Sequence, residues 1–239
     1  MKISGFHTSL IDYPGKLASI IFTSGCNYRC PACHAKNIVL GNGSVSEDKI
    51  LSHLDSQKGF IDGVVLCGGE PTLQLDLPFF IEKLKSRNLS IKLDTNGSNP
   101  EIIKNLLENK LVDYVAMDIK GPKSLYPKLC GKEFIDFREL EKSIVLASHF
   151  PDYEFRTTIA PVIRDSEISF MKIDEAVDMA RWIVQVTEKD NHMFYLQKFV
   201  PKKGELLDEK LESCPETPKS LLEEMKQAMK PYLKNVEIR

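Results

Sequence analysis

The stretch ASIIFTSGCNYRCPACH, residues 18–34, joins a buried strand to a cluster of thiols. Its first six residues form a nearly continuous apolar run, which is typical of a parallel strand covered on both faces. Three cysteines, Cys26, Cys30 and Cys33, follow this strand with C-x3-C-x2-C spacing. The stretch therefore predicts a parallel sheet whose first strand leads directly into a chemically reactive loop.

Five further apolar runs resemble this strand, and amphipathic segments with a helical period separate them. The first of these segments begins after Ser46, a residue suited to cap a helix N-terminus, and acidic residues follow at once. Alternation of strands and helices with short connections favours successive right-handed βαβ units and a parallel sheet. The predicted strands after the first are residues 62–67, 89–95, 112–119, 153–161 and 192–200.

Six such units predict the α/β class with an open, partial (β/α)6 TIM-like barrel of parallel strands, and not a closed barrel of eight. The length of 239 residues fits one domain of this kind. We expect a single domain over residues 1–239, made of an N-terminal extension (1–17), a core (18–200), and a C-terminal loop and helix (201–239).

Composition limits the classes of function. Hydrophobic residues make up 42% of the chain and charged residues 28%, with a formal net charge of −2. This balance lacks the basic footprint of a nucleic-acid-binding protein. No stretch approaches the ~20 apolar residues that cross a bilayer, and the N-terminus has no cleavable leader pattern. We therefore expect a cytoplasmic protein that binds neither nucleic acid nor membrane.

The three clustered cysteines indicate a metal centre. Thiolates are the natural ligands of iron–sulfur clusters, which usually take four. Three protein ligands would leave one iron free to chelate a substrate, as catalytic metal sites keep one position open. The alternative is a structural zinc site completed by His34 or a distant cysteine, but the spacing is unusual for zinc and no second ligand pair follows.

Gly68, Gly69 and Glu70 end the second predicted strand, and Pro71 follows them. Paired glycines let the backbone approach a ligand without an intervening Cβ. A tight turn between a strand and a helix is the alternative explanation.

Asp94 and Asp118 end the next two predicted strands, at regular intervals from Glu70. The steps from Glu70 to Asp94 and from Asp94 to Asp118 are each 24 residues, or one βα unit. All three acids should therefore lie at the carboxyl-terminal rim of the barrel, where such folds build active sites. Helix capping or turn formation would explain each acid singly. Three together would repel one another unless a cation compensated them.

These motifs together resemble the radical S-adenosylmethionine (SAM) superfamily. The resemblance implies a partial barrel, a [4Fe–4S] cluster held by the three cysteines, and SAM bound to the unique iron. By the same resemblance Gly68, Gly69 and Glu70 receive the SAM amino group. The residue before the third cysteine is often aromatic in that family and lies near the adenine. Here it is Ala32, so Tyr28 becomes a candidate for that contact.

Within this superfamily the chain resembles the activating enzymes of glycyl-radical proteins. The segments LDTNGS and AMDIKGP are similar to those that bind a monovalent cation, Na⁺ or K⁺, beside the SAM carboxylate. The N-terminal TSLIDYPGK also matches that subgroup, except that Tyr13 replaces a glycine. Carried over by position, the cation ligands would be Asp94, Thr95, Met117 through its backbone carbonyl, and Asp118. Lys120 would contact the SAM carboxylate.

The resemblance is strongest to the proteins that activate anaerobic ribonucleoside-triphosphate reductase. It implies that a reduced flavodoxin or ferredoxin passes one electron to the cluster and that SAM is cleaved to a 5′-deoxyadenosyl radical. That radical would take a hydrogen atom from a glycine of the partner reductase. Arg156, at the end of the fifth predicted strand, could bind a carboxylate or ribose hydroxyls, or form an ion pair.

Two other functions stay open at this stage. One is a radical SAM enzyme that acts on a small molecule, similar to 7-carboxy-7-deazaguanine synthase. The other is a zinc- or cluster-binding module without catalysis.

Overall fold

The computed structural model describes residues 1–165 and 167–239. Its main sheet has eight strands in the spatial order β1-β2-β3-β4-β5-β6-β9-β10, and β7 and β8 form a separate hairpin. The strands are β1 (Ile3–Ser9), β2 (Ala18–Thr23), β3 (Gly63–Gly68), β4 (Ser90–Thr95), β5 (Tyr114–Asp118), β6 (Asp152–Ile159), β7 (Pro161–Arg164), β8 (Glu167–Phe170), β9 (Met193–Lys198) and β10 (Asn235–Ile238).

Strands β2, β3, β4, β5, β6 and β9 lie side by side in chain order, and every neighbouring pair is parallel. They coincide with the six apolar runs to within about two residues at most ends. The predicted α/β class and partial (β/α)6 barrel are therefore confirmed.

Helices follow the strands as the amphipathic segments predicted. They are α1 (Lys36–Val39), α2 (Glu47–Ser56), α3 (Leu77–Lys85), α4 (Pro100–Glu108), α5 (Tyr126–Cys130), α6 (Phe137–Ala147), α7 (Ile173–Thr187) and α8 (Lys219–Met229). Ser46 caps α2 as expected, because its hydroxyl accepts a hydrogen bond from the Lys49 backbone N–H at 3.3 Å. Among the described residues, no helix is both long enough and apolar enough to cross a bilayer.

The sheet extends beyond the six parallel strands at both edges. Strand β1 pairs antiparallel with β2, and β10 pairs parallel with β9. Both lie in segments whose strands the sequence patterns did not reveal, the N-terminal extension and the C-terminal loop and helix. Edge strands that are short and partly polar give little periodic signal.

The two faces of the barrel strands have different chemistry because side chains alternate along a strand. One face packs against the helices in a large apolar core that includes Leu66, Leu93 and Phe155. The other face lines the barrel interior. There a small apolar group around Ile20 and Val65 gives way to charged side chains on β4, β5 and β6.

An ion pair closes one end of this interior. Glu154 on β6 is fully buried, and its carboxylate accepts a hydrogen bond from the Tyr114 hydroxyl at 2.6 Å. Two nitrogens of Arg239 donate to the same carboxylate at 2.9 and 3.1 Å. The Arg239 guanidinium also lies 3.7 Å from the centroid of the Tyr195 ring. The C-terminal segment therefore neutralises a charge that the barrel buries.

Replacing this arginine should destabilise the fold. Arg239→Ala leaves the buried Glu154 carboxylate with one neutral donor, so we expect a loss of about 1–3 kcal/mol in the free energy of unfolding, measured with urea. The control is Arg181→Ala, whose side chain is 57% exposed. A double variant, Glu154→Gln with Arg239→Met, should lose less than Arg239→Ala. Equal stability of Arg239→Ala and the unchanged protein would contradict this role.

Candidate active site at the carboxyl end of the barrel

A cavity of about 390 Å³ opens at the carboxyl ends of the parallel strands, within the range of small-ligand sites. The structure brings nearly all of the predicted site residues to this cavity. Those that line it are Cys26, Tyr28, Cys30, Cys33, Gly68, Gly69, Glu70, Asp94, Thr95, Asp118, Lys120 and Arg156. Met117 does not line it; its side chain is fully buried in the core on the helix-facing side of β5.

Backbone hydrogen bonds fix the cysteine loop against the neighbouring loop after β3. The Gly25 N–H donates to the Ile38 carbonyl at 2.9 Å, and the Gly25 carbonyl accepts from the Glu70 N–H at 2.8 Å. The Cys26 sulfur in turn accepts from the Tyr28 backbone N–H at 3.3 Å and from the Asn96 amide at 3.8 Å. Cys26 is thus held by contacts that the C-x3-C-x2-C spacing does not predict.

The three thiols share the cavity in an environment that opposes their charged form. Burial raises the pKa of Cys26 to about 11 and also raises that of Cys33. The Cys130 thiol, at the end of α5, interacts with Cys30 and lowers the pKa of the Cys30 thiol. Thiols in such surroundings ionise readily when a bound metal supplies positive charge. The donor set fits an iron–sulfur cluster held by three cysteines.

Gly68 and Gly69, at the end of β3, allow stretches of backbone to pack closely against each other. Gly68 has φ of +108°, and a Cβ there would lie 2.6 Å from backbone atoms of Thr23. A Cβ on Gly69 would lie 1.8 Å from the Gly25 carbonyl oxygen. The glycines were predicted to admit a ligand, whereas their closest neighbours in the structure are the end of β2 and the start of the cysteine loop.

Glu70 joins two loops and does not meet the other two acids. Its side chain is 1% exposed and accepts hydrogen bonds from the Thr72 hydroxyl at 2.6 Å, the Thr95 hydroxyl at 2.7 Å and the Asn96 N–H at 2.7 Å. Burial raises the pKa of this carboxyl group. All three acids line the cavity at the carboxyl-terminal rim, as expected, but the Glu70 carboxylate turns into the space between the loops and takes no part in the ion pairs of Asp94 and Asp118.

Asp94 and Asp118 do meet, through Arg156. The guanidinium donates a hydrogen bond to Asp118 at 2.6 Å and forms a salt bridge with Asp94 at 3.0 Å. Lys120 donates to the second oxygen of Asp118 at 2.7 Å, and Lys92 donates to the second oxygen of Asp94. The positive neighbours Arg156 and Lys120 hold the pKa of Asp118 well below its usual range despite its burial. Of the two roles considered for Arg156, the structure shows the ion pair.

Lys92 and the C-terminal loop were missed by the sequence analysis. Lys92 precedes Asp94 by two residues on β4, so period-two alternation could have placed both in the barrel interior.

The C-terminal loop has no such pattern in the sequence. Its Leu207 N–H donates to the Cys33 carbonyl at 3.0 Å, and its Asp208 N–H donates to the Pro31 carbonyl at 3.1 Å. Ala32 packs against a small apolar cluster to which this loop contributes Leu206 and Leu211.

A partial parallel barrel with three thiols and the Gly68–Gly69 loop at its carboxyl end is the arrangement expected of a barrel enzyme that binds an iron–sulfur cluster. The sequence model of the Radical SAM superfamily matches residues 20–169, and the chain belongs to this superfamily. Members of the family bind a [4Fe–4S] cluster and SAM, in agreement with the chemistry of the donor set.

Two relatives and one solved structure resemble the chain over most of its length. A candidate glycyl-radical enzyme activating enzyme of Methanocaldococcus jannaschii is 35% identical over 97% of this chain and 92% of its own. The pyruvate formate-lyase-activating enzyme of Clostridium pasteurianum is 27% identical over 80% of this chain and 81% of its own. The structure of Streptococcus suis SuiB with its precursor peptide superposes with a TM-score of 0.68 at 13% identity, over 92% of this chain and 48% of SuiB, and supports the fold alone.

The close approach at Gly69 can be tested directly. Gly69→Ala should push the cysteine loop away from the loop after β3, and such overpacking costs about 1–3 kcal/mol. We expect a lower midpoint of urea unfolding and less iron and sulfide per chain after anaerobic reconstitution. Gly5→Ala is the matched control, because a Cβ there meets nothing within 4 Å. Full cluster content in Gly69→Ala would argue against this packing.

A second prediction concerns Asp118. Asp118→Asn removes charge from two ion pairs and should cost about 1.5–3 kcal/mol of unfolding free energy at pH 7. Because the pKa of Asp118 is lowered in the folded state, its stabilising effect is complete above the unfolded pKa of about 4 and fades only below it. The difference in unfolding free energy between the unchanged protein and Asp118→Asn should therefore stay constant from pH 8 to 5 and shrink at lower pH. The exposed Asp178→Asn should show no such difference.

Proposed function

We propose that this protein is an activating enzyme that installs a glycyl radical on a partner enzyme. The observation that carries the proposal is the similarity to a candidate glycyl-radical enzyme activating enzyme, which extends over 97% of the chain. The similarity to a pyruvate formate-lyase-activating enzyme points to the same activity. The partner we propose is anaerobic ribonucleoside-triphosphate reductase, with reduced flavodoxin or ferredoxin as the electron donor, in the cytoplasm.

In this proposal Cys26, Cys30 and Cys33 hold the [4Fe–4S] cluster. When bound, the cluster and SAM supply a one-electron cleavage that yields a 5′-deoxyadenosyl radical and methionine. The loop after β3 supports the cysteine loop from one side, and residues 207–208 support it from the other. The backbone contacts on these two sides therefore keep the cysteine loop in one position, and the cavity beside the loop remains open to a partner.

The remaining residues orient SAM. Lys120 is 25% exposed at the cavity and carries a charge suited to the SAM carboxylate. Tyr28 lines the same cavity with its ring almost completely buried, so it presents an apolar surface to the adenine. The loop of Gly68, Gly69 and Glu70 lines the cavity, so its backbone would receive the amino group, whereas the buried Glu70 side chain holds this loop to Thr95 and Asn96. The protein thus contributes position and shielding, whereas the radical chemistry belongs to the cofactors.

The test combines two measurements on anaerobically reconstituted, reduced protein. The first is 5′-deoxyadenosine formed from SAM, measured by chromatography. The second is the EPR signal of a glycyl radical on added anaerobic ribonucleoside-triphosphate reductase, with pyruvate formate-lyase added in a parallel reaction. We expect the radical on the reductase, and none when its radical glycine is replaced by alanine.

Cysteine variants supply the controls. Cys30→Ala should lose the cluster absorbance and form deoxyadenosine only at background level, because one ligand is missing. Cys214→Ala, which lies outside the cavity, should keep both. Deoxyadenosine formed without a radical on either partner would contradict activation and favour a small-molecule substrate. Absence of SAM cleavage in the cluster-loaded protein would contradict the proposal as a whole.

A further inference from the structure

The predicted cation ligands already have partners within the chain. Asp94 offers one carboxylate oxygen to Lys92 and the other to Arg156. Asp118 offers one oxygen to Arg156 and the other to Lys120. The Thr95 hydroxyl donates to Glu70 at 2.7 Å and accepts from the Gly97 N–H at 3.1 Å. Every side-chain oxygen of the predicted set is thus engaged.

The negative charges of Asp94 and Asp118 are also neutralised without an ion. Two carboxylates meet three cationic side chains, Lys92, Lys120 and Arg156, all with side chains at most 27% exposed. The next carboxylate along the barrel interior, Glu154, is paired with Arg239. An added cation would therefore enter a region whose local sum of charges is already positive, and repulsion would oppose it.

The shape of a guanidinium explains how one side chain can replace an ion. Arginine presents five N–H donors in a rigid plane and stays charged at all accessible pH values. Nε of Arg156 donates a hydrogen bond to Asp118, and a terminal nitrogen forms a salt bridge with Asp94. Strands β5 and β6 pair Asp118 directly with Arg156 in register, so the backbone delivers the guanidinium to this position.

We propose that Arg156 takes the place of the monovalent cation in this protein and acts as a positioning residue for Asp94 and Asp118. The residues do not fit the Na⁺ or K⁺ site that the resemblance implied. The consequence is that neither the stability of the fold nor the binding of SAM depends on which monovalent cation is present. This inference concerns the site alone and does not rest on the partner that we propose.

The test compares potassium, sodium and tetramethylammonium chlorides at equal ionic strength. Tetramethylammonium matches the charge of the metal ions but is too large for a site between two carboxylates. The first readout is the Tm of the protein before cluster reconstitution. The second is the Kd for SAM of the cluster-loaded protein. We expect the unchanged protein to show the same Tm and, within about twofold, the same Kd in all three salts.

Arg156→Met removes the guanidinium and keeps a side chain of comparable length. In tetramethylammonium chloride its Tm should fall by about 6 °C or more, since a buried carboxylate pair loses its shared partner. Potassium or sodium should recover part of that loss by entering the vacated position. Arg181→Met, outside the barrel, should show neither the loss nor the recovery. If Arg156→Met does not fold, Arg156→Gln also removes the charge but keeps a hydrogen-bond donor, and should show a smaller loss with the same recovery.

Two results would overturn the proposal. One is a requirement for potassium or sodium in the unchanged protein, in either its Tm or its affinity for SAM. The other is an Arg156 variant that is destabilised without any recovery in potassium or sodium. That result would mean that Arg156 forms an ordinary ion pair and does not take the place of a cation. Because the Tm measurement needs no cluster, SAM or partner, failure of the proposed activation would leave this result unaffected.

Discussion

The guanidinium of Arg156 between the carboxylates of Asp94 and Asp118 is the interaction on which the cavity depends. It joins three neighbouring strands, β4, β5 and β6, across the barrel interior. Unpaired charges would be expensive in this buried space, so each must find its partner for the barrel to form. The pairing also fixes register, because a shift by one residue would turn these side chains towards the helices.

Around this interaction the loops are held by backbone contacts. The start of the cysteine loop approaches Gly69 so closely that a single methyl group there would collide with the Gly25 carbonyl oxygen. Residues 207–208 hydrogen-bond to the other side of the same loop. A site built in this way is shaped before any cofactor binds, which lowers the conformational cost of binding.

The sequence could predict those parts of the molecule that have local patterns. The six barrel strands are continuous apolar runs, and the acids at 24-residue intervals follow from the repeating βα unit. Strand β1 is partly polar and half exposed, and strand β10 has four residues and pairs with the more distant β9, so neither forms a continuous apolar run. The same limit applies to the site. The Glu154–Arg239 pair joins residues 85 positions apart, and no spacing rule could connect them. Cysteine spacing located the thiols, but not the Asn96 and Cys130 contacts that surround them.

The charge network also explains how Lys120 could serve SAM. In the structure Lys120 is bound to Asp118, and a lysine that left a buried carboxylate unpaired would incur a large desolvation penalty. Arg156 donates to the other oxygen of Asp118, so that carboxylate stays neutralised when Lys120 turns towards a ligand. A spherical ion in the same place would offer charge without a directed hydrogen bond. An arginine that bridges two acids therefore makes one lysine available to bind a carboxylate, while the geometry of the strand ends is preserved.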